Sequence, residues 1–140
     1  MKGANPTTTL LRNARIVLPE RTAENASLLI RHGRIDRISE ADARMSPSAE
    51  STIDFTGLTV YPGFIDLHIH GAIGVDTMAA NAQDLRRVSQ FLATHGVTGW
   101  LPTFVPAPDS DYAHSIGAIA EAMEMGDSPT AGARILGVHY

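Results

Sequence analysis

From Pro62 onward the chain alternates short apolar runs with amphipathic segments, and this order constrains the fold more than any other feature of its 140 residues. Residues 64–70, 97–101 and 135–139 are rich in Ile, Leu, Val and aromatic side chains and read as strands. Between the first two, Asn81 is placed to cap a helix, with Asp84 near the positive end of its dipole. Leu85, Val88 and Leu92 follow at helical spacing, and Gly96 sits where a helix stops. Asp109 or Ser110 caps a second helix, whose apolar stripe is Tyr112, Ile116, Ile119 and Met123, with Gly126 and Pro129 ending it. Strands alternating with helices predict a parallel sheet.

Residues 1–61 have a different character. After a polar, loose start over residues 1–9, residues 10–18 and 26–31 read as strands. His32-Gly33 supplies a tight turn into a returning strand at 34–38. Residues 39–50 read as a loop or short helix, and 51–55 and 58–61 flank Thr56-Gly57 as a second hairpin. The expected organisation is therefore a small β-rich segment over 1–61, sandwich-like, followed by a β-α-β-α-β unit over 62–140.

Composition removes several classes of function. Apolar residues make up 44% and charged residues 19%, enough to build a core and against wholesale disorder. The net charge of −4 argues against a nucleic-acid partner, whose footprint is a basic patch. With no cysteine there is no disulfide framework, thiolate metal site or cysteine nucleophile. No apolar run approaches the ~18 residues of a membrane helix, and the N-terminus lacks the apolar stretch of a secretory signal. The expectation is a cytoplasmic protein without a membrane partner. No dinucleotide fingerprint or phosphate loop is present, which speaks against a nucleotide-binding domain.

The chemistry concentrates in residues 62–71, P-G-F-I-D-L-H-I-H-G. Strand alternation places Ile65, Leu67 and Ile69 on one face, suited to a covering helix, and Phe64, Asp66, His68 and His70 on the other. Burying an aspartate and two imidazoles without partners costs several kcal/mol. Residues two apart on a strand are ~6.5–7 Å apart at Cα, so His68 and His70 can converge on one cation. Their position at the C-terminal end of a strand, before Gly71, is where α/β sheets and barrels place their sites. Asp66 reads as a carboxylate that orients the strand end, as carboxylates that hold a ligand imidazole do, and not as a metal ligand itself. The other histidines read differently: His32 as a turn residue, His95 as a helix-end cation, His114 as solvated. His139 is balanced between core and site.

The 62–71 run resembles the first barrel strand of the amidohydrolase superfamily. Gly74-Val75-Asp76-Thr77-Met78, the run G-V-T-G-W-L-P-T at 96–103, and Ile135-Leu136-Gly137-Val138-His139-Tyr140 resemble its N-acetylglucosamine-6-phosphate deacetylase branch. The resemblance implies a (β/α)8 barrel of ~250 residues, of which 62–140 is the truncated beginning. It implies hydrolysis of N-acetylglucosamine 6-phosphate to glucosamine 6-phosphate and acetate, with one or two divalent ions (zinc, iron, cobalt or manganese). His68 and His70 match the family's paired ligands. A further ligand, the glutamate of H-x-E-G-P, would follow Tyr140, and the general base lies on a later strand, so no catalytic residue is assigned within 1–140. The apolar run 133–140 lacks a terminal turn, and the expectation is a longer protein, a homodimer when complete, with the 140-residue piece inactive. The alternatives are another amidohydrolase (dihydroorotase, hydantoinase or deaminase) and a non-catalytic truncated or split-gene fragment.

Overall fold

The computed structural model describes residues 7–40, 49–125 and 132–140. It divides into two compact units, residues 1–62 and 63–140.

The first unit is built on β1 (Thr8–Val17), β2 (Thr22–Arg31), β3 (Arg34–Ser39), β4 (Ser51–Asp54) and β5 (Thr59–Val60). The β2–β3 turn forms as expected. His32 and Gly33 both adopt positive φ, 48° and 73°, the geometry a two-residue hairpin needs to match strand twist. The expected second hairpin does not form. β4 and β5 both pair with β1 in parallel, at Thr9–Arg12 and at Arg15–Ile16 respectively, so Thr56-Gly57 is a step along β1 rather than a hairpin turn. Residues 41–48, most of the expected loop or short helix, lie outside the described residues, as do residues 1–6 of the expected loose start. Thr8 and Thr9 belong to β1.

Among the described residues the unit is one five-stranded sheet, order β3-β2-β1-β4 with β5 also on β1, instead of the two facing sheets of a sandwich. Leu11, Ala14, Ile16, Ala23, Ala26 and Leu28 form its core cluster. Asn13 and Asn25, at φ 59° and 50°, sit where the β1–β2 register slips. Asparagine tolerates the left-handed region that such bulges require.

The second unit runs β6 (Phe64–Ile69), α1 (Ala82–Ala93), β7 (Val97–Pro102), α2 (Asp109–Glu124) and β8 (Arg134–Ile135). The three strands are parallel in the order β6-β7-β8. Asn81 caps α1 by accepting from Asp84 N at 2.9 Å. Leu85, Val88 and Leu92 enter the core with Trp100, Phe104, Ile119 and Ile135. Trp100 is fully buried and its indole N–H donates to Ser89 Oγ at 3.0 Å, which satisfies the polar end of a core side chain.

Three local expectations change here. α2 is preceded by Pro108, which makes no side-chain cap, and Asp109 is already helical. Its buried line is Ser115, Ala118 and Ile119, while Ile116 and Met123 are exposed. Small residues allow the helix a close approach, and Ser115 Oγ is satisfied by Asp111 O and Met78 O at 2.8 and 2.9 Å. The helix-ending Gly126 and Pro129 lie outside the described residues. β8 is only two residues long, and the chain then follows β7 irregularly to a single bridge between Thr103 and His139. No helix among the described residues is long and apolar enough to cross a membrane.

Candidate metal centre

The site grows out of two faults in the pairing of β6 with β7. Phe64 pairs with Val97 but Ile65 with Gly99. Further on, Asp66 pairs with Trp100 and Ile69 with Pro102. Between Asp66 and Ile69, β6 therefore carries one residue more than its partner. This is a bulge, the device that re-aims side chains at sheet rims.

The bulge frees backbone N–H groups that must find acceptors. His68 N donates to Asp66 Oδ1 at 3.1 Å, and Ile69 N donates to Thr103 Oγ1 at 3.0 Å. Asp66 thus orients the strand end by holding the His68 backbone. The bulge also breaks the simple two-face pattern. Ile69 packs against the core, but Ile65 and Leu67 remain exposed, at 57% and 61%. They lie on an edge strand, and the expected covering helix is absent among the described residues.

The two sequence-flagged imidazoles do come together. His68 Nε2 and His70 Nε2 are 3.2 Å apart, with ring centroids 5.1 Å apart. His70 Nδ1 lies 3.2 Å from the carbonyl oxygen of Thr103. A carbonyl only accepts, so this nitrogen carries the proton, and in the neutral form of the ring the Nε2 lone pair faces His68. Two nitrogens bound at ~2.0–2.1 Å to one tetrahedral zinc stand about 3.3 Å apart. The pair is thus already spaced for a shared ion. Among the described residues no group of three or more His, Asp or Glu is assembled for a metal.

His139 joins this end of the sheet. Its ring centroid is 4.8 Å from that of His68, and its buried Nδ1 has no hydrogen-bond partner among the described residues. Within the second unit His95 and His114 stay away from the site, while His32 belongs to the β2–β3 turn of the first unit. His95 Nδ1 approaches Phe91 O at 2.9 Å at the end of α1, and His114 is exposed on α2.

Two threonines without an assigned role in the sequence reading organise the cluster. Thr103 is buried at the end of β7. Its amide donates to Ile69 O at 2.9 Å, while its hydroxyl accepts from Ile69 N. Thr77, also buried, lies after the loop 71–76. Its amide donates to His70 O at 3.0 Å, and its hydroxyl lies 3.1 Å from His70 O and 3.0 Å from Thr103 O. The available signal was positional: a threonine directly after the strand-ending Pro102, level with the histidines of the neighbouring strand. Gly71 is required where the loop leaves β6. Its φ is +130°, and a Cβ there would overlap the Val75 carbonyl oxygen.

No protein-family model matches the chain. Individual relatives do. An N-acetylgalactosamine-6-phosphate deacetylase of Escherichia coli O157:H7 is 32% identical over 130 residues, covering 93% of this chain and 32% of the relative. The N-acetylglucosamine-6-phosphate deacetylase of Bacillus subtilis is 28% identical over the same length, covering 93% and 33%. The chain spans about a third of the length of these curated relatives. The solved N-acetylglucosamine-6-phosphate deacetylase of Pasteurella multocida shares the fold, with a TM-score of 0.76 at 22% identity over 91% of this chain and 34% of that one. Over most of its length the chain is therefore similar to the N-terminal portion of N-acetylglucosamine-6-phosphate and N-acetylgalactosamine-6-phosphate deacetylases.

Proposed function

We propose that this chain supplies the opening strands and two metal ligands of a hydrolase that removes the acetyl group from a 6-phosphorylated N-acetyl amino sugar, N-acetylglucosamine 6-phosphate foremost. The observation that carries the reading is the 3.2 Å separation of His68 Nε2 and His70 Nε2, seated beyond a bulge at the end of a parallel strand. The names of the relatives support the substrate class and include both sugar epimers.

In this reading β6, β7 and β8 are the first three strands of a (β/α)8 barrel, and the site lies at its C-terminal face. His68 and His70 would hold a divalent ion (zinc, iron, cobalt or manganese) through Nε2. When bound, such an ion polarises the acetamide carbonyl and brings the pKa of its water toward ~7. The chain's own residues hold the ligands. Thr103 O keeps the His70 proton on Nδ1, Asp66 steadies the His68 backbone, and Gly71 lets the chain turn away from the strand end. The other ligands and the general base would come from segments outside residues 1–140, so the chain alone is inactive in this reading.

The test has two parts. The 140-residue chain is titrated with Zn²⁺ and Co²⁺, and acetate release from N-acetylglucosamine 6-phosphate and its galactosamine epimer is followed in the complete barrel, with and without chelator. Binding that depends on both histidines, and chelator-sensitive acetate release, are expected. A complete protein that turns over neither sugar, or does so unaffected by loss of both histidines, overturns the reading.

A further inference from the structure

The geometry points to Thr77 as a positioning residue for His70, a role that rests on the metal-site reading above. A single buried side chain ties three pieces of the site together: the end of β6 at His70, the end of β7 at Thr103, and the returning loop 71–76. Thr103 O is the acceptor shared by His70 Nδ1 at 3.2 Å and Thr77 Oγ1 at 3.0 Å. The Thr77 hydroxyl has one proton and two carbonyls within reach, and with its amide it holds His70 O from two directions. Its burial removes water as a replacement partner.

The consequence concerns which nitrogen of His70 is free. With Thr103 O fixed in place, His70 is held as the Nδ1–H tautomer, which leaves its Nε2 unprotonated and turned toward His68 before any ion arrives. Without the Thr77 hydroxyl, no hydrogen bond among the described residues tethers the Thr103 carbonyl to the loop side. The imidazole then samples the other tautomer and other ring orientations. His68 has no comparable fixture. Among the described residues its ring nitrogen contact is His70 Nε2. The preset member of the pair is His70, and Thr77 is what presets it.

The test compares the parent chain with Thr77→Val, which keeps the shape and removes the hydroxyl, and Thr77→Ser, which restores it. Ring nitrogen shifts of His70 are read by NMR in metal-free protein, and affinity is read by Co²⁺ and Zn²⁺ titration, with circular dichroism confirming native folding. The parent and Thr77→Ser are expected to show His70 as Nδ1–H. Thr77→Val is expected to show a mixed tautomer and roughly tenfold weaker binding, the low end of what second-sphere partners of ligand imidazoles cost. If Thr77→Val does not fold, the parent spectrum still decides: His70 as Nε2–H overturns the proposal. An unchanged His70 spectrum in folded Thr77→Val also overturns it. A parent that binds no metal, with the tautomer shift still present in Thr77→Val and absent in Thr77→Ser, upholds the positioning role and removes the metal reading instead.

Discussion

Thr103 holds Ile69 from two sides, its amide donating to Ile69 O at 2.9 Å and its hydroxyl accepting from Ile69 N at 3.0 Å. The side chain thus takes the place of the backbone acceptor that the β6 bulge removes. Ile69 sits between His68 and His70, so the clamp acts on the residue whose position aims both imidazoles. Thr103→Val keeps the volume but leaves the Ile69 N–H unpaired, at a cost of about 1–3 kcal/mol. Urea denaturation of the variant checks this, and a change near zero would show that the amide finds another acceptor.

His68→Ala and His70→Ala are each expected to weaken Zn²⁺ binding by the 140-residue chain at least about tenfold, because each removes half of a preformed pair. His114→Ala, exposed on α2, is the control and leaves affinity unchanged. Calorimetric titration measures all three, and equal losses in the control would mean nonspecific binding to surface imidazoles.

Core and edge positions of the second unit are expected to differ sharply. Leu85 is fully buried, and Leu85→Ala costs about 2–5 kcal/mol. Leu67 is exposed on the edge strand, and Leu67→Ala changes the stability of this chain by less than about 0.5 kcal/mol. Should Leu67→Ala prove as costly as Leu85→Ala, the β6 face is covered in solution, and sedimentation would reveal by what.

Acid sensitivity of the first unit is expected to involve Asp54. The side-chain hydrogen bond from Thr56, then its amide and Asn13 Nδ2, hold the Asp54 carboxyl below the usual carboxylate range. A depressed folded-state pKa adds stability that is present above the unfolded value and is lost as pH falls through the folded one. Asp54→Asn should therefore flatten the loss of stability on acidification through and below the ordinary carboxylate range. Denaturation midpoints taken from neutral to acid pH test it, and parallel curves for parent and variant would count against it.

Much of the second unit was legible because its signals are local. Asn81 with Asp84 marks a helix start through its own cap hydrogen bond, and Leu85, Val88 and Leu92 repeat at the helical period. The pairing of His68 with His70 follows from their spacing on one strand. The site's support was less legible. The His68 amide reaches the Asp66 carboxylate because of a bulge set by the register against β7, which no local signal announces.

By itself, the sequence determined the two helices and the first two strands after Pro62, and that two imidazoles stand together at a strand end, since these depend on neighbours a few residues away. Only the tertiary structure decided that β4 and β5 run parallel to β1, that α2 buries Ser115 and Ala118 instead of Ile116, and that Thr77 and Thr103 meet behind His70. Those outcomes depend on partners brought in from distant segments. A hydrogen-bond donor or an apolar face carries no mark in the sequence of which distant acceptor or surface will meet it.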